Sequence, residues 1–213
     1  IFASPWSPPA WMKNSNLMIS GQLKDDSMGA LANYFVRYVE EYGKRGVKIS
    51  AVSPQNETMC DTGGQYPCCT YTAEKEGVFV RDHLSKAFKK AGLNTKIWVH
   101  DHDPDKRGIE RVKKLMAIEG VSDAIDGIAW HCYCNPKESE NMAPLKAAYA
   151  DKGFYHTENG PHVVIKERTE FWWAAKVFGM LQNGCSMFTT WNICLDELGT
   201  PATGAHLCGG FTV

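Results

Sequence analysis

Long apolar runs, an excess of charge of one sign, low-complexity segments and internal repeats are all missing from this chain. No stretch approaches the roughly 20 apolar residues that span a bilayer, so stable membrane insertion is not expected. The 23 Lys and Arg residues are balanced by 24 Asp and Glu, for a net charge of −1. That balance provides no broad basic field for nucleic acid or anionic lipid and suits a neutral partner. The opening IFASPWSPPAWMK has neither the charge order nor the cleavage pattern of a signal peptide, and because it begins on Ile1, further sequence upstream is expected. What is present is one domain's worth of chain: 213 residues, 44% hydrophobic, enough to bury a sizeable core.

Eight cysteines point to an oxidising compartment, hence to a secreted or extracytoplasmic setting, a lysosome-like one included. Cys60, Cys68 and Cys69 share a Gly/Pro-rich loop in which Cys60 can pair with Cys68 or Cys69, a pairing that sequence does not fix. Cys132, Cys185 and Cys194 stand in apolar or strand-like contexts and read as buried free thiols acting as small hydrophobes.

Strand-like runs alternate with amphipathic helical ones, the pattern of a parallel α/β sheet. Strands are expected at 1–3, 49–53, 96–100, 126–131, 154–157 and 186–192, and helices at 28–46, 72–91, 108–116, 142–150 and 168–182. In the first helix Leu31, Phe35, Tyr38, Val39 and Tyr42 recur at three- and four-residue steps, with Gly43 and Gly46 near its end. The second places Val78, Leu84 and Phe88 inward, and in the last Trp172 and Trp173 read as core packing. The fold class is therefore α/β of (β/α)8 TIM-barrel type, truncated to about six βα units and forming a single partial catalytic domain over 1–213. Two units short of eight, it is expected to have unpaired first and last strands and to need the missing barrel strands of the full-length chain.

In such a fold, functional groups project from the C-terminal ends of the strands. Ser4-Pro5-Trp6, Pro54-Gln55-Asn56-Glu57, Asp101-His102-Asp103, Trp130-His131-Cys132-Tyr133, Thr157-Glu158-Asn159 and Trp191-Asn192 all fall there. Aromatic and ionisable groups at every strand end favour one shared pocket over scattered surface residues. A single glutamate after a strand is ordinarily a solvated loop charge or a helix-start acid. Two of them, Glu57 and Glu158, meet the requirement of glycoside hydrolysis for a proton donor and an ionised partner across one bond. Asn56 can hydrogen-bond a sugar hydroxyl, and Trp6, Trp191 and Tyr133 offer flat faces for a pyranose.

With these motifs in place, the chain resembles glycoside hydrolase family 30, the family of glucosylceramidases and related β-glucanases. The matching stretches are ASPWSPPAWMK, ISAVSPQNE, DGIAWHCY, HTENG and FTTWNICLD, in the family's order and over nearly the whole chain. The resemblance implies a retaining double displacement, with Glu57 as acid/base and Glu158 as nucleophile, and with Trp6, Asn56, His131, Tyr133 and Trp191 lining the sugar site. It also implies a β-glucosyl substrate, glucosylceramide-like or a β-glucan, and no cofactor. The resemblance starts at the family's third barrel strand, so the first two units and a β side domain have no counterpart here. Thr58 replaces the proline common after the family's Asn-Glu pair and creates a formal glycosylation sequon at Asn56, read here as chance because a glycan would block the pocket.

Two rival readings remain. The run His100-Asp101-His102-Asp103 invites a metal, but consecutive strand residues face opposite ways and the Cys/His spacing matches no closed zinc pattern, so no metal site is expected. Asp101 or Asp103 is instead expected to orient a neighbouring His or Arg. The other alternative is a non-catalytic carbohydrate-binding barrel fragment, which would need the aromatic wall but no pair of carboxyls.

Overall fold

The computed structural model describes residues 1–61, 66–160 and 170–191. The expected alternation is realised as β1 (Phe2–Ala3), α1 (Met28–Lys44), β2 (Ala51–Val52), α2 (Ala73–Val78), α3 (Ser85–Lys90), β3 (Lys96–His102), α4 (Lys106–Met116), α5 (Val121–Ala124), β4 (Gly127–His131), α6 (Met142–Ala148), β5 (Gly153–Glu158), α7 (Glu170–Gln182) and β6 (Cys185–Phe188). The strands follow one another in the sheet in chain order, with β1 and β6 at the two ends of the series. The chain forms two compact units, Ile1–His102 with Glu110–Ala129, and Asp103–Ile109 with Trp130–Val213.

In the first unit β1 pairs in parallel with β2 (Phe2↔Ala51, Ala3↔Val52) and β2 with β3 (Ala51↔Lys96, Val52↔Ile97). The Asp126 amide then bonds the Ile97 carbonyl at 2.9 Å as the chain enters β4. α1 forms because its apolar residues repeat at helical spacing, and it buries Met28, Leu31, Ala32, Phe35 and Val39. Tyr42, expected on that face, is 45% exposed; it packs instead on Tyr38 with ring centroids 4.7 Å apart. The expected helix over 72–91 is one helical run broken in register: a π-helical turn, Phe79–Leu84, joins α2 to α3. Thr72 caps its start by accepting the Lys75 amide at 3.1 Å. Phe79, Val80, Leu84 and Phe88 fill the core with Val99, Val112, Leu115 and Ile128. Each such side chain contributes about 1.5–3 kcal/mol on burial. Gly77 allows a close helix contact, since a Cβ there would lie 2.7 Å from Ile118 Cδ1.

In the second unit β5 pairs with β6 (Phe154↔Cys185, His156↔Phe188), and the extra residue in β6 makes a bulge. Trp130 and Phe154, centroids 5.7 Å apart, form its core with Met142, Leu145 and Met180. The Pro136–Asn141 turn opens on a capping box: Asn135 accepts the Lys137 amide at 3.0 Å and the Glu138 carboxylate accepts the Asn135 amide at 2.9 Å. Trp172 and Trp173 meet the expectation of core packing only in part. Both are half-buried, Trp172 lying 3.8 Å under the fully buried Lys176 ammonium and Trp173 edge-on to Phe188. The start of the expected helix at 168–169 and the expected strand end at Asn192 lie outside the described residues.

The cysteines correct one expectation. Among the described residues Cys60, Cys68 and Cys69 form no disulfide, nor do Cys132, Cys134 and Cys185; Cys194 lies outside the described residues. Other partners hold the loop. The buried Lys13 ammonium takes the Cys68 carbonyl at 2.5 Å, the Met18 carbonyl at 2.9 Å and the Ser7 hydroxyl at 3.0 Å. The Cys68 thiol accepts the Ser20 amide at 3.2 Å, and Cys60 lies 3.8 Å from the Tyr66 hydroxyl. Burial and the Glu57 charge push the Cys60 thiol up to about 11, which keeps it protonated.

Candidate active site

Three strand ends of the first unit are tied together by backbone. The Ser53 amide bonds the Ala3 carbonyl and the Asn56 amide the Pro5 carbonyl, each at 2.9 Å, and the Gln55 side chain donates to the Trp6 carbonyl at 2.7 Å. Trp6, Asn56 and Glu57 are thus set by one short network. Glu57 stands in the left-handed region at φ 50°, and its amide donates to the Asp101 carbonyl at 2.9 Å. His100 and Asp101 share that conformation at φ 78° and 49°. Strain of this kind gathers where a site over-determines the backbone. The Ser4 hydroxyl donates to the Asp101 carboxylate.

Glu57 is half-buried, and the Tyr66 hydroxyl donates to its Oε2 at 3.4 Å. The Tyr66 ring packs on Trp6 with centroids 5.0 Å apart. Burial, then the Glu57 charge, raise the Tyr66 phenol well above its ordinary range, so it remains a donor. Asn56 is 5% exposed, and its Oδ1 has no hydrogen-bond partner among the described residues. Thr58 is fully buried with its hydroxyl on the His100 carbonyl at 2.8 Å, so the Asn56 sequon lies inside folded structure.

The second unit holds the other expected residues. At the end of β5 the half-buried Glu158 accepts the Tyr133 hydroxyl on Oε1 at 3.0 Å. Tyr133 is positioned from behind, its amide donating to the Asp103 carboxylate at 2.7 Å and its ring meeting buried His131 edge-on at 5.9 Å. Asn159 donates to the Cys132 carbonyl and accepts the Trp191 amide at 2.8 Å on its own. Gly160 is the one residue that fits beside Trp191, because a Cβ would come within 2.6 Å of the Trp191 carbonyl oxygen. Glu158, Tyr133, His131 and Trp191 therefore belong to one set of contacts, as Trp6, Asn56 and Glu57 do in the first unit.

Sequence reasoning missed Tyr66 as a site residue, along with the Ser4–Asp101 and Asp103–Tyr133 contacts. The partners of Asp101 and Asp103 include a serine hydroxyl and a backbone amide respectively. Tyr66 had a signal: it sits nine residues beyond Glu57 in the loop that follows that strand end. Chemically, each half presents a carboxyl bearing a tyrosine hydroxyl, next to aromatic faces and amides, which suits a neutral polyhydroxylated ligand.

Comparison with known proteins agrees. The model of the Glycosyl hydrolase family 30 TIM-barrel domain matches residues 1–208. An endo-1,6-beta-D-glucanase of Neurospora crassa is 31% identical over 98% of this chain and 43% of its own length. Endo-1,6-beta-D-glucanase BGN16.3 of Trichoderma harzianum is 32% identical over 99% of this chain and 43% of its own. The crystal structure of SrfJ from Salmonella typhimurium superposes with a TM-score of 0.89 at 28% identity, covering 98% of this chain and 47% of that one. The chain spans less than half the length of these relatives. With six parallel strands in chain order and a family match over nearly every residue, the chain belongs to glycosyl hydrolase family 30 and forms part of that family's TIM-barrel domain.

Proposed function

We propose that the protein is a retaining β-glycoside hydrolase acting on a β-glucosyl linkage, with Glu57 as acid/base and Glu158 as nucleophile. The observation that carries this reading is the matched environment of the two carboxyls: Glu158 ends β5 and Glu57 stands in the turn that follows β2, and each is half-buried and accepts a tyrosine hydroxyl. In the first step the Glu158 carboxylate attacks the anomeric carbon while the bond to the leaving oxygen breaks and Glu57 gives that oxygen its proton. In the second, Glu57, now a carboxylate, takes a proton from water; the water oxygen bonds the anomeric carbon and the Glu158 ester is released. Retention of this kind calls for carboxyls about 5–5.5 Å apart in the working enzyme. Trp6, Asn56, His131, Tyr133 and Trp191 are proposed to hold the sugar, the aromatic faces by stacking and Asn56 by its amide.

For the substrate we favour a β-1,6-linked glucan, because both fungal relatives carry that activity in their names. A glucosylceramide-like glycolipid is the other β-glucosyl substrate to assay. A polymeric glucan is met outside the cytoplasm, and we place the protein there. Turnover is proposed for the full-length protein, in which two further βα units would complete the eight of a barrel. The test is anion rescue. With an aryl β-glucoside and azide, Glu57→Ala should yield the retained β-glucosyl azide, because azide needs no deprotonation, and Glu158→Ala should yield the inverted α product. The same anomer from both variants would refute the assignment, and binding without turnover by unmutated protein would favour a carbohydrate-binding module.

A further inference from the structure

β3 turns a corner that ordinary residues avoid. His100 stands at φ 78° and Asp101 at φ 49°, a left-handed conformation that carries a cost for every residue other than glycine, though histidine and aspartate bear less of it than most. Both are fully buried, so no solvent relieves them. The corner bears on the acid/base from two sides: the Asp101 carbonyl accepts the Glu57 amide at 2.9 Å, and the His100 carbonyl accepts the Thr58 hydroxyl at 2.8 Å. Glu57 itself is left-handed, so its direction depends on where those two carbonyls stand.

The corner is held from behind by a charged pair that packing alone does not call for. Glu76 of α2, fully buried, accepts the His100 amide on Oε1 at 2.9 Å. Its Oε2 pairs with the Arg111 guanidinium of α4 at 2.7 Å, and Arg111 is 7% exposed. Arg111 in turn donates to the carbonyls of Tyr71 at 3.0 Å and Thr72 at 3.3 Å, fixing the start of α2 on which Glu76 rides. A buried ion pair is seldom more stabilising than well-packed apolar residues of the same volume. Stability alone therefore does not account for it. An apolar side chain at position 76 would leave the His100 amide without its acceptor.

We infer that the Glu76–Arg111 pair is a positioning device for the acid/base, locking the His100–Asp101 corner so that the Glu57 carboxyl is aimed at the leaving oxygen. The inference rests on the reading of Glu57 as acid/base. Neither Glu76 nor Arg111 touches substrate; both act through backbone.

The experiment exploits what an acid is needed for. A 2,4-dinitrophenyl β-glucoside leaves with little protonation, whereas an alkyl β-glucoside requires it. In the full-length enzyme, Glu76→Leu/Arg111→Met removes both charges together, and with them the His100 acceptor. It should lose about 30- to 100-fold in kcat/KM on the alkyl glucoside, the cost of a misplaced catalytic group, and less than about 3-fold in kcat/KM on the dinitrophenyl substrate, because kcat/KM reports the glycosylation step alone whereas kcat on a good leaving group also carries the Glu57-assisted hydrolysis of the ester. Glu76→Gln/Arg111→Met keeps an amide oxygen for the His100 N–H and should recover most of the loss. An equal loss on both substrates, or no loss, overturns the inference. Should the Leu double variant not fold, Thr58→Val releases the same corner from its other side and should show the same selectivity at about 5-fold; unselective behaviour there counts equally against it. Glu57→Ala is the control. If it too is unselective, the acid/base reading fails, whereas a selective Glu57→Ala with unselective corner variants sinks only the positioning role.

Discussion

Arg111→Met should be among the most destabilising single substitutions outside the apolar core. The change removes a guanidinium 2.7 Å from a fully buried carboxylate and leaves Glu76, among the described residues, with only the His100 amide for a partner. Breaking a buried pair from one side costs about 3–5 kcal/mol. Loss of the bond to the Tyr71 carbonyl adds about 1 kcal/mol, since Tyr71 is itself 2% exposed; the Thr72 carbonyl belongs to an exposed residue and water replaces its donor. The charge part has a ceiling, because neutralising an ordinary glutamate at pH 7 takes about 3.7 kcal/mol and the chain unfolds no further than that escape requires. The net loss is therefore about 4–5 kcal/mol. Urea denaturation at pH 7 should show it as a lowered midpoint with unchanged slope, and Glu76→Leu/Arg111→Met should regain part of it, no charge then being stranded although the His100 amide and the Tyr71 carbonyl still lack partners. A loss below about 1 kcal/mol for the single variant, or a double variant as unstable as the single, would refute the reasoning.

Three further outcomes follow from the same contacts. Tyr133→Phe removes the hydroxyl on Glu158 while keeping the ring, so kcat/KM should fall about 10- to 100-fold with little change in the denaturation midpoint; unchanged kinetics would contradict a role on the nucleophile. Gly160→Ala places a Cβ 2.6 Å from the Trp191 carbonyl oxygen and must displace that residue, so it and Trp191→Ala should both raise KM for a glucoside; wild-type KM in both would show that Trp191 does not stack on the sugar. Peptide mapping after alkylation without reductant should recover Cys60, Cys68 and Cys69 as alkylated thiols, and a cross-linked Cys60–Cys68 or Cys60–Cys69 peptide would contradict the structure.

Periodicity was enough to locate the helices and strands within a few residues, because burial on one face writes a repeat into α1 and the core of α2 and α3. It was blind to the π-helical turn at Phe79–Leu84, where one extra residue per turn keeps the apolar face inward without altering composition. Glu57, Glu158 and their aromatic neighbours were legible because they cluster at strand ends in recognisable motifs. Their supports were not. Glu76 and Arg111 lie inside α2 and α4 at positions that look like solvated helix charges, and only the fold brings them to the His100 amide. The cysteine loop misled for a related reason: three thiols in ten residues suggest a bridge, yet a lysine 55 residues away in sequence from Cys68 supplies the tie.

The central claim is that Glu158 becomes covalently glycosylated. Full-length protein incubated with 2,4-dinitrophenyl 2-deoxy-2-fluoro-β-glucoside should release dinitrophenol and lose activity as a stable ester accumulates, since fluorine beside the anomeric carbon slows departure from the enzyme more than formation. Digestion and mass spectrometry should place one fluoroglucosyl group on the peptide containing HTENG, at Glu158. A label on any other carboxyl, or an active enzyme that inverts its substrate and takes no label, would contradict the account.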